Sequence, residues 1–243
     1  MHSYAIGDIH GHIDLLRQAH HLIARDQAIH GQGTVVHVGD LCDRGPDTRG
    51  VIDFLMQGLA EGRDWVVLKG NHDRMFAGFL ADMAFHDPGL RTDLSWLHPK
   101  LGGAGTLASY GVANAADRPI PAVHADAVQA VPQAHLDFLR NCPAWFRQGE
   151  AIFVHAGLRP GVALKDQDET DLVWIRKPFL EDMTDHGALV VHGHTAIDWP
   201  RHYGNRLNMD AGAAYGGPLP PVVIEGRDAF VLTEKGRARL SPT

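Results

Sequence analysis

Residues 39–45 read GDLCDRG, directly after the apolar run TVVHV at 34–38. The run has the length and β-branched content of a buried strand. Two carboxylates, Asp40 and Asp43, and a guanidinium, Arg44, come directly after it within five positions. In isolation this is a polar turn closing a strand. Four further runs end the same way. SYAI leads into Asp8 and His10, WVVL into Asn71 and His72, AIFV into His155, and ALVV into His192 and His194. Five strand-like segments thus carry chemistry-bearing side chains at their carboxyl ends, the edge where open α/β sheets bind ligands.

Between the early strands lie segments with helical spacing, at 13–29, 48–60 and 73–85, so strand and helix alternate and the fold class is α/β with a largely parallel region. PVVIEGRDAFVLTE, at 221–234, reads as a closing antiparallel hairpin turning near Gly226 and Arg227. The stretch from about 86 to 132 is rich in Gly, Pro and Ala, shows no strand pattern, and is too long for a plain connection. We read the chain as one domain, 1–243, with a lid-like insertion there. KGRARLSPT at the end is polar and is expected to fray.

The 243 residues are ample for a continuous core. A formal net charge of −7 argues against a general nucleic-acid binder. No apolar run approaches membrane-spanning length, the start carries no leader pattern, and two cysteines make no disulfide framework, so a cytoplasmic protein is expected. With seventeen histidines, a lone histidine says little. His37, inside a strand, reads as a core histidine; His20 and His21, on a helix, as surface or partly packed; Cys42 as a small apolar side chain.

Ligand chemistry gives the strand-end set a physical reading. A dinuclear site takes imidazole and carboxylate ligands, with one carboxylate shared between the ions. Asp8 and His10 alternate along an extended segment and can face one ion, Asp40 can bridge, and Asn71, His155 and His194 can serve the second. Such a pair clamps a phosphoryl group and acidifies a water.

The ordered motifs GDIHG (7–11), GDLCDRG (39–45), GNHD (70–73), FVHAG (153–157) and GHT (193–195) resemble those of the calcineurin-like metallophosphoesterases, specifically the phosphoprotein phosphatase family. The resemblance implies a metallo-dependent phosphatase fold, a β-sandwich flanked by helices, with two divalent or trivalent metal ions at one edge: manganese foremost, iron or zinc otherwise. It implies the same ligands, Asp8, His10, Asp40, Asn71, His155 and His194. It further implies that His72 is the general acid, Asp43 its partner, and Arg44 a phosphate clamp. DLVWIRKPF at 171–179 is similar to a stretch of the short bacterial members and points to Arg176 as a second clamp. Many nucleases and cyclic-nucleotide esterases of the superfamily carry a histidine where this chain has Ala196, which favours the phosphatase branch. His192 has no ligand role in that pattern.

The resemblance leaves two substrates: phosphoserine or phosphothreonine in proteins, as the first expectation, and a dinucleoside polyphosphate, making the enzyme a bis(5′-nucleosyl)-tetraphosphatase, as the second. The expected partners are a phosphorylated protein or a small phosphorylated or nucleotide substrate, with no nucleic acid and no membrane. A phosphoprotein-binding module without turnover would have no use for the His72–Asp43 pair. Tyr215, in NMDAGAAYGGPL, reads equally as a substrate contact or as an aromatic plug on a glycine-rich turn.

Overall fold

The computed structural model describes residues 2–243. In chain order the strands are β1 (His2–Ile6), β2 (Thr34–His37), β3 (Trp65–Val67), β4 (Trp145–Gln148), β5 (Ala151–Val154), β6 (Leu189–His192), β7 (Arg201–His202), β8 (Arg206–Asn208), β9 (Val222–Glu225), β10 (Asp228–Thr233) and β11 (Gly236–Leu240). The helices are α1 (Ile13–His30), α2 (Thr48–Ala60), α3 (Asn71–Ala81), α4 (Gly103–Ser109), α5 (Ile120–Ala130), α6 (Gln133–Asn141), α7 (Glu169–Trp174) and α8 (Lys177–Leu180). The strands form two mixed sheets, β11-β10-β9-β1-β2-β3 and β4-β5-β6-β8-β7.

The sheets pack face to face with helices outside, as the resemblance implies. Alternation along each strand explains why the runs read as continuously apolar: both faces are covered. Ala5, Val36, Phe153, Leu189, Val191 and Val222 point into the layer between the sheets. Tyr4, Ile6, Val35, Val67 and Val223 face the other way, onto Leu16 and Ile23 of α1, Val51 and Leu55 of α2, and Phe76 of α3. Ile152, Val154 and Val190 pack outward on Leu172 of α7 and Phe179 of α8. Each fully buried Val, Ile or Leu contributes about 1.5–3 kcal/mol.

Within the first sheet β1, β2 and β3 run parallel. Within the second, β5, β6 and β8 do. Six parallel strands, three per sheet, therefore end at a common edge of the sandwich.

Two expectations change. α3 runs Asn71–Ala81 rather than 73–85: the Asp73 carboxylate accepts the Gly70 N–H (2.8 Å) and closes the first turn from inside, and the backbone turns extended at Asp82. The C-terminal KGRARLSPT does not simply fray: Gly236–Leu240 forms β11 on β10. Arg237 grips Asp26 of α1 with two bonds, 2.8 and 2.6 Å, and reaches Glu225, while Arg239 reaches Asp228 (2.7 Å). The backbone ladder on β10, these ion pairs and Leu240 packed against the inter-sheet core hold that strand. No helix among the described residues is long and apolar enough to cross a membrane.

Candidate metal centre and catalytic site

The edge where the six parallel strands end is a cavity of about 400 Å³ whose lining includes Asp8, His10, Asp40, Arg44, Asn71, His72, Arg176 and His194. Among the described residues, six non-glycine residues have positive φ, and five of them are here: His10, Asp40, Asp43, Arg44 and His194. Each such conformation costs about 1–3 kcal/mol and persists only where surrounding structure enforces it. The two sheets approach closely enough that a Cβ on Gly193 would lie 1.8 Å from Asp8 Oδ1, and within the first sheet one on Gly70, after β3, would lie 2.2 Å from Asp40 Oδ1, after β2. These glycines are what let the carboxylates seat at the edge.

Two groups of ligating atoms converge there, His10–Asp40–His72 and Asp40–His155–His194, all buried and sharing Asp40. The hydrogen bonds assign the ring nitrogens. His10 Nδ1 donates to Cys42 O (2.8 Å) and His155 Nδ1 to Val38 O (2.9 Å), leaving each Nε2 with a lone pair. His155 Nε2 then faces two other acceptors, Asn71 Oδ1 at 3.0 Å and Asp40 Oδ2 at 3.4 Å. His10 Nε2 lies 3.5 Å from the same Asp40 oxygen. His194 Nδ1 donates to Asn71 Oδ1 (2.9 Å), and its N–H to Asp8 Oδ2 (3.0 Å). Its Nε2 and Asp8 Oδ1 are buried with no hydrogen-bond partner. Acceptors facing acceptors, with orphaned lone pairs beside them, are unfavourable for the protein alone and suited to cations. The residues present therefore fit a metal pair.

The charge states point the same way. Burial raises the Asp40 carboxyl, but the surrounding histidines outweigh it and hold it below the usual carboxylate range. Burial pushes Asp8 well up, with Asp210 and Asp40 adding to the effect. Burial lowers His10, His155 and His194, which keeps them neutral and able to ligate.

His72 falls geometrically within one ligand group, yet its Nδ1 is committed to Asp43 Oδ2 at 2.6 Å. Its backbone N–H donates to Asp40 Oδ1 (3.0 Å), tying it to the shared carboxylate. Asp43 is held from two more directions: Trp96 Nε1 donates to Oδ2 (2.9 Å) and Thr106 Oγ1 to Oδ1 (2.7 Å). Both holders come from the 86–132 segment, which also buries Leu90, Leu101, Leu107 and Val123 in the core beneath. Arg44 Nη1 donates to His10 Nε2 (2.8 Å). Arg176 is exposed at the cavity wall, and neither arginine has a carboxylate partner among the described residues. Cys42 is fully buried and burial pushes its thiol up, in keeping with the packed reading. His192 is buried, its Nδ1 donating to Gly193 O (3.0 Å).

The sequence reading missed four participants. Trp96 and Thr106 sit in a segment without periodic signal. Asp73 ties two loops, accepting from Gly70 N and from Leu41 N (2.9 Å). Asp210 lines the cavity, 6% exposed, with burial foremost raising its carboxyl to about 6. Its signal was present: RLN forms β8, and NMDAG repeats the strand-then-carboxylate pattern of the other motifs.

A family model for calcineurin-like phosphoesterases matches residues 1–216. A protein named bis(5′-nucleosyl)-tetraphosphatase PrpE (asymmetrical) from Anoxybacillus flavithermus is 27% identical over 236 residues, covering 88% of this chain and 86% of that protein. Its namesake from Bacillus subtilis is 25% identical over 235 residues, covering 88% and 87%. Among solved structures, one provisionally described as a diadenosine tetraphosphatase superposes with a TM-score of 0.64 at 20% identity, over 100% of this chain and 95% of the other. A cold-active protein tyrosine phosphatase from a Shewanella species gives 0.60 at 14%, over 99% and 80%. At these identities the structures share the fold.

Proposed function

The chain belongs to the calcineurin-like phosphoesterase family, and from that premise we propose that it is a bis(5′-nucleosyl)-tetraphosphatase, splitting its substrate into a nucleoside triphosphate and a nucleoside monophosphate. The hydrolase reading rests on the two buried ligand groups joined at Asp40. The substrate reading rests on the relatives named for that activity along 88% of the chain. They favour the second sequence expectation over phosphoserine or phosphothreonine.

Asp8, His10 and Asp40 would hold one ion, and Asp40, Asn71, His155 and His194 the other. When bound, such ions, manganese foremost, neutralise phosphate charge and acidify a water in the cavity. Arg44 and Arg176 would grip phosphate oxygens, since a guanidinium fork matches them and both line the cavity. The His10 lone pair serves either Arg44 or an ion, so ligation would free the Arg44 guanidinium to turn to substrate. His72, with Nδ1 fixed on Asp43, would present Nε2–H to the leaving oxygen and give up that proton as the P–O bond breaks.

The test is kcat/KM on diadenosine tetraphosphate and on a phosphoserine peptide, both with Mn supplied, and chromatography of the products. Faster turnover of the dinucleotide to equal amounts of ATP and AMP is expected. Preference for the peptide, or release of two ADP, overturns the reading.

A further inference from the structure

The catalytic cavity continues past its ligands into a second groove of about 710 Å³, a volume typical of small-molecule sites. Arg44, Lys100, Ala214 and Tyr215 line both spaces, so the groove is continuous with the reaction centre. At the junction stands Tyr215, 72% exposed. A bare aromatic ring beside a catalytic cavity calls for a partner. The ring is not on a loose tip. It closes a tight turn in which Gly212, at φ 76, accepts the Tyr215 N–H (2.8 Å) and the Gly217 N–H (2.9 Å). The Arg44 guanidinium sits 5.3 Å from the ring centroid. Beyond the ring, Leu97 and Pro99 give the groove an apolar wall. Lys100 is exposed and has no ion-pair partner among the described residues. In a chain of net charge −7, Arg44, Arg176 and Lys100 thus present unpaired cations around one opening, with an aromatic platform between them.

A phosphoserine side chain needs only the cationic part of this arrangement. A nucleotide needs all of it: cations for a phosphate chain and a flat ring for a base. We propose that the groove is a nucleoside subsite, in which the base of the nucleotide remote from the reacting phosphorus stacks on Tyr215 while Lys100 meets the intervening polyphosphate. The proposal deepens the tetraphosphatase reading and rests on it for its natural ligand, but the groove can be probed independently of that reaction.

The probes are ATP and inorganic tripolyphosphate as competitive inhibitors of 4-nitrophenyl phosphate hydrolysis by the Mn-loaded enzyme. In Tyr215→Ala, the inhibition constant of ATP relative to that of tripolyphosphate should rise about tenfold or more, the value of one base stack. Tyr215→Phe should restore the wild-type ratio, because stacking needs the ring and not the hydroxyl. Lys100→Gln should weaken both inhibitors, tripolyphosphate no less than ATP. On diadenosine tetraphosphate, Tyr215→Ala should lower kcat/KM relative to the aryl phosphate by a similar factor. An unchanged ATP-to-tripolyphosphate ratio in Tyr215→Ala overturns the subsite, whatever the natural substrate. If the wild type instead prefers the phosphopeptide while the inhibitor ratio shifts as stated, the tetraphosphatase reading falls and the nucleoside subsite stands.

Discussion

Asp40 is constrained on several sides. Its backbone lies at φ 49, its Oδ1 accepts the His72 N–H, and its Oδ2 lies within 3.5 Å of both His10 and His155. Asp40→Asn keeps the shape and one acceptor but removes the charge that two cations would share. Metal analysis of the purified variant should show loss of at least one ion per chain, with turnover down by more than the roughly hundredfold that outer-shell changes cause. Full metal content with near-normal turnover would remove Asp40 from the bridging role. His72 is tested by leaving group. A nucleoside triphosphate departs as a stabilised anion and needs little help, whereas an alkoxide needs a proton. His72→Asn should therefore cost about 10²-fold or more on an alkyl phosphate and much less on diadenosine tetraphosphate. Equal losses on both, measured as kcat, would count against the acid role. These residues were legible in the sequence because each ends a strand, and a strand end is marked locally by an apolar run meeting glycine and a ligating side chain.

At the scale of elements, legibility follows the source of stability. α2 and the sandwich strands are built on apolar periodicity, so their patterns announce them. β11 adds to its ladder on β10 the Arg237–Asp26 pair, partners far apart in sequence, and Arg239–Asp228 across the hairpin, so its polar residues read as a fraying tail. The 86–132 segment is a stronger case. Its helices α4 and α5 are short, and its function lies in single side chains that reach back to GDLCDRG. Trp96 stacks at 5.3 Å on Phe76 and puts its indole N–H on Asp43. Asp87, 1% exposed, takes two 2.7 Å bonds from Arg74 and one of 2.8 Å from Trp174, pinning the start of the segment to α3 and α7. The segment is thus a brace for the His72–Asp43 pair. Trp96→Phe keeps the aromatic packing and removes one donor, and should lower turnover of an alkyl phosphate about tenfold with metal content unchanged. Because Trp96 acts through Asp43 and His72, its effect should nearly vanish in a His72→Asn background. Additive losses in the double variant would mean that Trp96 contributes by another route.

At the scale of the whole molecule, a net charge of −7 coexists with a cationic opening at the cavity. The same molecule buries histidines that serve stability rather than catalysis. His37, fully buried in β2, donates from Nδ1 to Val66 O (3.1 Å) and so accepts at Nε2 the N–H of His20 (3.0 Å). His37 cannot take a proton on Nε2 without setting two N–H groups against each other. Burial lowers His37 from 6.5 to about 4, and burial, His37 and Arg63 together bring His20 to about 2. The unfolded chain protonates His37 near 6.5, while the folded one refuses until about 4. Stability from this group is therefore complete above about pH 6.5, declines as pH falls between those values, and levels off below. The decline is about 1.4 kcal/mol per pH unit, on the order of 3 kcal/mol across the window. Urea midpoints measured at pH 7.5, 6.0 and 5.0 should fall accordingly. His37→Gln, which lacks the titrating ring, should start less stable at pH 7.5 but lose less on acidification, by about one proton's slope. Parallel losses in the two proteins would place the acid sensitivity elsewhere, in other buried histidines such as His10, His155 and His194.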